Sequence, residues 1–233
     1  MNNKLSEKKT VILIPSSSKN CNYKGLKSSA LIGILYKSLL NFDVSKYTFL
    51  IGFDNDDIFF TNFKKSIENK LPNNFYLYYL DNYDKSYVCI VNQLANIAIN
   101  NYQADYLFVI ADDLIFYDFT FIDKFIEYLS DKKLGLGYSI DKSCRKDICT
   151  HPFVTSNHVK YLGYFYPNYI KNWYCDTWIT KLYQNFNLVC KTESFVLENK
   201  ILEKRYDVYN IDQEKFDELV KDAEIILKNE LDK

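Results

Sequence analysis

The apolar residues of this chain fall into short runs that each stop at a polar turn. Val11 to Ile14 stops at Pro15-Ser16-Ser17-Ser18, and Tyr47 to Ile51 stops at Gly52 and then Asp54-Asn55-Asp56-Asp57. Phe75 to Leu80 is a third run, and Tyr106 to Ile110 stops at Ala111-Asp112-Asp113. Aromatic and β-branched residues at strand length predict strands. The last run has no polar alternation, so both its faces are expected to be covered. Between the runs the spacing turns helical. Residues 26, 31, 34, 35 and 39 repeat on one face, Ile58 to Leu71 is closed by Pro72, and Tyr87 to Asn101 carries Val88, Val91, Ala95 and Ala98 on one stripe. The alternation β-α-β-α-β-α-β predicts an α/β domain with a largely parallel sheet.

The second half is less regular. Thr120 to Leu129 reads as helix, while Leu134 to Ile140 and residues 148–155 read as strands. Residues 156–190 form an aromatic, irregular stretch. Phe216, Leu219, Val220, Ala223, Ile226, Leu227 and Leu231 recur at i, i+3, i+4, i+7, so 212–231 is an amphipathic helix. Its apolar face is expected to pack on the domain; a homodimer through this helix is the alternative. No internal repeat and no low-complexity linker divides the chain.

Composition narrows the picture. A chain of 233 residues that is 48% hydrophobic can bury one large core. A net charge of −1 gives no global field for nucleic acid or an acidic membrane surface. Six cysteines without CxxC spacing and only two histidines argue against a structural zinc site. Cys89 and Cys190 sit within apolar stretches and read as small core residues. No apolar segment approaches the ~20 residues of a membrane span and no signal segment opens the chain, so a reduced, cytoplasmic protein is expected. The abundance of Tyr, Asn, Ile and Lys points to an AT-rich genome.

Asp112-Asp113 is the chief chemical signal. Ligands of open α/β sheets sit beyond the carboxyl ends of the strands. Two carboxylates there suit a hard divalent cation, and such a cation commonly carries a diphosphate. The same pair could instead serve a turn or a helix cap. Asp176 lies within Trp173-Tyr174-Cys175-Asp176-Thr177-Trp178. An aromatic setting stacks on sugar faces, and a partly desolvated carboxyl suits a general base; the bland alternative is a helix N-cap. His151 and His158 are each candidates for a metal ligand or an acceptor contact, or for core residues. Arg205 could reach a diphosphate or stay solvated. Gly137-Tyr138 and Tyr164, Phe165, Tyr166 could line an acceptor pocket, although core packing is the default.

In order, these pieces resemble the GT-A fold of nucleotide-sugar-dependent glycosyltransferases, a Rossmann-like, mostly parallel sheet flanked by helices. The likeness spans roughly residues 10 to 205. It implies that Pro15-Ser16-Ser17 hold the nucleoside, that Asp54 faces the base, and that Asn92 and Asp112 serve the donor. Ala111-Asp112-Asp113 falls on the DxD motif. Asp113 then takes the main metal role, with Asp112 in support and His158 as a third ligand. Ala111 departs from the motif's usual first Asp, which puts the strength of metal binding in question. The run from His158 through Leu162-Gly163 to Trp178 resembles the acceptor half of enzymes from large DNA viruses and protists, and Asp176 falls on the catalytic base of inverting members. The implied organisation is one domain: residues 10–115 for the donor, 116–205 for the acceptor and 206–233 a C-terminal helix. The implied activity is metal-dependent (Mn²⁺ or Mg²⁺) hexosyl transfer from a UDP-sugar to a glycan or protein. A catalytically inactive sugar- or nucleotide-binding module is one alternative. A sugar nucleotidyltransferase is another, opposed by a first loop without Gly or Arg. An oxidoreductase is disfavoured because no GxGxxG follows a strand.

Overall fold

The structure, a computed structural model, describes residues 8–82, 85–144, 147–200 and 209–233. Eight strands form one sheet: β1 (Thr10–Pro15), β2 (Thr48–Asp54), β3 (Phe75–Leu80), β4 (Tyr106–Val109), β5 (Leu114–Phe116), β6 (Leu136–Asp141), β7 (Pro152–Thr155) and β8 (Val189–Asn199). Their order is β3-β2-β1-β4-β7-β6-β8-β5. β1, β2, β3 and β4 pair in parallel, and so do β6 and β8. β7 runs antiparallel to β4 and β6, and β5 antiparallel to β8.

Alternate residues of one strand feed two cores. In β1, Val11 and Leu13 face a layer that contains Val88, Val91 and Leu94 of α4 (Tyr87–Tyr102), whereas Ile12 and Ile14 face Leu31, Leu35 and Phe121 on the opposite side. Covering on both faces is why β1 and β4 read as unbroken apolar runs. On the second side lie a π-helical turn (Leu31–Tyr36) running into α1 (Lys37–Leu39), then α2 (Ile58–Asn62), α3 (Lys64–Glu68) and α5 (Phe121–Leu129). The single helix expected over 58–71 is two helices, because Phe63 leaves helical geometry at ψ 6°. A Cβ on Gly33 would lie 2.4 Å from the Lys27 carbonyl oxygen, so only glycine fits this tight segment.

The irregular aromatic stretch contains two helices, α6 (Asn157–Leu162) and α7 (Cys175–Gln184). The final helix α8 (Gln213–Leu231) is capped by Asp212, whose side chain accepts from the backbone N–H groups of Glu214 and Lys215. Its stripe of Phe216, Val220, Ala223 and Leu227 is buried in the same core as Trp178 of α7. These four residues pack within the chain, whereas Ile226 of the predicted stripe is exposed. No described helix is long and apolar enough to cross a membrane. All six cysteines are free thiols.

Candidate active site

The chain steps outward from β1 to β2 to β3 and then returns to β4 on the other side of β1. The reversal falls between β1 and β4, where open α/β sheets place their ligands. At the carboxyl ends of β1 and β4, Ile110 N donates to Leu13 O at 3.0 Å and Ser16 Oγ donates to Asp112 Oδ2 at 2.5 Å. Ser16 N donates to Gly52 O at 2.9 Å and so prolongs the β1–β2 ladder by one step. Ser17 Oγ accepts from Lys19 N. Asp57, the N-cap of α2, accepts from Ser18 N at 2.8 Å and Ser18 Oγ at 2.7 Å, and from Phe60 N. It therefore fixes the turn after β1 to the helix after β2. Asp54, at the end of β2, accepts from Asn82 Nδ2 at 2.6 Å. Burial pushes its carboxyl above the usual value, with the Asn82 hydrogen bond working against it. Asp112 and Asp113 are both buried.

A second group of side chains lies at the ends of β6 and β8. Asp141, the last residue of β6, takes three hydrogen bonds on Oδ1, from Ser143 N, Ser143 Oγ and Asn199 N. Its Oδ2 is 3.5 Å from His151 Nε2. Burial pushes the Asp141 carboxyl up, but His151 and the Ser143 hydrogen bonds outweigh it and hold the group below the ordinary carboxylate range. The end of β8 connects this group to the Asp112-Asp113 segment, since Leu114 pairs with Asn199 and Lys200 N donates to Asp113 O at 3.0 Å.

Asp176 lies in the first turn of α7, after Tyr174 in left-handed backbone at φ 77°. Its carboxylate accepts from Thr177 N at 2.7 Å. Burial raises its pKa, while the Thr177 bonds and the nearby His151 pull the other way. Thr180 Oγ1 accepts from Cys149 N and donates to Asp176 O, so α7 is tied to the segment before β7 that carries His151. Asp176, His151 and Asp141 thus belong to one neighbourhood.

Other predicted site residues lie elsewhere. His158 is fully buried, with Nδ1 2.9 Å from Tyr183 Oη and Nε2 2.8 Å from Phe165 O. Both nitrogens are occupied, so His158 is a core residue and not the third metal ligand expected from the sequence. Asn92 is also corrected. Its side chain accepts from Phe165 N and Tyr166 N and donates to Tyr166 O and Asn168 Oδ1, which spends it on bracing the 165–168 turn rather than on a donor. Phe165 and Tyr166 are core residues, and Gly137 lies against the ring of Phe125. Pro15 is the last residue of β1. Arg205 lies outside the described residues. Sequence reasoning missed Asp57, Asn82 and Asp141. An acid that ends a strand, as Asp141 does, was the available signal for the last.

No protein-family model matches the sequence, and no curated protein does. Solved structures do match in fold. S. aureus TarS matches with TM-score 0.58 at 13% identity over 83% of this chain and 37% of that chain. Its 1-349 portion, in complex with UDP, matches with TM-score 0.56 at 14% identity over 82% and 60%. The mannosyltransferase PcManGT from Pyrobaculum calidifontis, in complex with GDP-Man and Mn2+, matches with TM-score 0.58 at 10% identity over 86% and 59%. The 4-diphosphocytidyl-2C-methyl-D-erythritol synthase from Anaerococcus prevotii matches with TM-score 0.51 at 13% identity over 95% and 96%. The chain spans 37% to 60% of the glycosyltransferase chains it resembles. At these identities the matches establish the fold, a GT-A-type α/β sheet flanked by helices.

Proposed function

We propose that this chain transfers a sugar from a nucleotide-sugar donor, foremost a UDP-sugar, to a glycan or protein acceptor. The Ser16–Asp112 contact across the switch point carries the reading, because it gathers polar groups where a nucleotide fits against parallel strand ends. TarS is a UDP-bound neighbour and PcManGT a GDP-Man-bound one. Residues 10–115 would hold the donor and 116–205 the acceptor, with 206–233 as a supporting helix.

Asp113 would hold a divalent ion on the donor diphosphate, with Asp112 beside it. Among the described residues no group of three or more His, Cys, Asp or Glu forms a metal cage. Mg²⁺ and Mn²⁺ sites on phosphates need only one or two protein carboxylates, so the residues present fit. The ion would supply neutralisation of charge on the departing diphosphate. Ser16 and Ser17 offer hydroxyls to the nucleoside or phosphates, and Asp54 offers an acceptor beyond β2. Asp176 would take the proton of the acceptor hydroxyl as that oxygen attacks the anomeric carbon and the diphosphate leaves. Burial raises its pKa, the direction that makes a carboxylate a better base. No sequence match supports the likeness of 158–178 to viral and protist enzymes.

A second reading has one observation in its favour. The cytidylyltransferase-type neighbours match over nearly their whole length, unlike the glycosyltransferases. The first loop, Pro15 to Asn20, lacks the Gly and Arg that would cradle a triphosphate. One experiment separates the readings. The protein is melted with UDP, GDP, CTP and nucleotide sugars, each with and without Mn²⁺, and assayed for sugar transfer or pyrophosphate release. A ligand at ~100 times its Kd adds about 2.7 kcal/mol of apparent stability. Transfer reads out as a Mn²⁺-dependent shift with one nucleotide sugar that is lost in Asp113→Ala, and as turnover reduced about 10²-fold or more in Asp176→Asn with donor binding kept. Pyrophosphate release from CTP selects the second reading. Binding without turnover selects an inactive module, and no shift with any nucleotide refutes donor binding.

A further inference from the structure

Two buried polar atoms face each other without a hydrogen bond. Asp141 and His151 are each 3% exposed, and Asp141 Oδ2 and His151 Nε2 both lack a hydrogen-bond partner although they lie 3.5 Å apart. Buried polar groups rarely go unsatisfied in this way. A direct hydrogen bond would close to about 2.7–3.2 Å. The separation instead suits two ligands of one ion. At a metal–ligand distance of about 2.1 Å, two donor atoms 3.5 Å apart subtend about 113°, close to the tetrahedral angle.

The surroundings hold that geometry. The other carboxylate oxygen of Asp141 is saturated by Ser143 and by the backbone of Asn199, so Oδ2 has a fixed direction. Such outer bonds are what orient a ligating carboxylate. Asn199, whose backbone touches Asp141, carries a further unpartnered buried oxygen, Oδ1. Thr180 anchors the segment entering β7, which carries His151, to α7 through Cys149 N.

We infer that Asp141 and His151 form a divalent-cation site at the carboxyl end of β6, next to Asp176, with the remaining coordination left to water or substrate oxygens. An imidazole paired with a carboxylate favours Mn²⁺, Co²⁺ or Zn²⁺ over Mg²⁺ and Ca²⁺. The site goes beyond the transfer reading, since it binds its ion without a donor.

The test uses the full chain without nucleotide, labelled with ¹⁵N. Only two histidines are present, so the imidazole spectrum has two ring systems to assign. Zn²⁺ is titrated in, and Mg²⁺ is then added in excess. The expected result is a coordination shift of Nε2 of His151, no change at His158, and no competition by Mg²⁺. Asp141→Asn weakens Zn²⁺ binding at least about tenfold. A Zn²⁺ titration of the wild type that leaves the His151 ring unmoved overturns the inference, whatever the variant does. So does unchanged Zn²⁺ affinity in a folded Asp141→Asn protein. Donor binding is measured separately, so its failure leaves this result standing.

Discussion

His158 offers a quantitative test of the core. Phe165 O can only accept, so Nε2 carries the proton and Nδ1 accepts from the Tyr183 hydroxyl. This arrangement is the neutral imidazole; a second ring proton would have to donate to a buried phenol and would carry an uncompensated charge. Burial accordingly pulls the pKa from 6.5 to about 4, with the Phe165 bond opposing only part of the shift. The folded state therefore binds fewer protons than the unfolded one between those values. Stability from this group is complete above the unfolded pKa and is lost as pH falls toward the folded one. Linkage puts the loss at about 2 kcal/mol near pH 5 and about 3 kcal/mol near pH 4. For a chain of this size the former equals a fall of about 4–8 °C in Tm. The assay is urea unfolding from about pH 7.5 to pH 4.5 on wild type and His158→Gln, with the His158 ring followed by NMR. The variant is less stable at neutral pH because two buried bonds are lost, and its disadvantage narrows by about 2 kcal/mol near pH 5 because it has no proton to exclude. A His158 ring that titrates near 6.5 in the folded protein, or parallel pH profiles for the two proteins, refutes the reasoning.

Other expectations follow from packing. Asn92→Ala removes a side chain that serves two backbone N–H groups and a carbonyl of the 165–166 turn. A loss of about 2–4 kcal/mol is expected in urea unfolding, and a change below about 0.5 kcal/mol would show the brace to be dispensable. Gly137→Ala places a Cβ 2.5 Å from Cγ of Phe125, so the ring or the strand must shift. The cost is about 1–3 kcal/mol, read from the denaturant midpoint; an unchanged midpoint would mean that Phe125 moves freely.

Much of the donor half was legible in the chain itself. β1, β3 and α4 coincide closely with the apolar patterns over 11–14, 75–80 and 87–101, because a strand or helix buried on a fixed face writes its period directly into the residue order. Strand-end polar residues such as Ser16 and Asp112 were visible for the same reason: an apolar run must stop where the backbone leaves the sheet. β8 was not visible. Lys191, Thr192, Glu193 and Ser194 lie in its first half, where only β6 pairs with it and the other edge is open, so burial imposed no apolar pattern there. The partners of the polar residues were not legible either. Asn92 and His158 carry side chains that suit a ligand as well as a core; Phe165, Tyr166 and Asn168, more than 70 positions away, occupy the first, and Tyr183 and Phe165 enclose the second. Asp141 and His151 are ten residues apart with nothing in their spacing to join them, and it is the antiparallel pairing of β6 with β7 that brings them together. Local sequence determines which residues form an element and where it ends, since that depends on near neighbours. Which elements become adjacent, and so which acids, amides and imidazoles meet, depends on the packing of the whole sheet and was decided only in the tertiary structure.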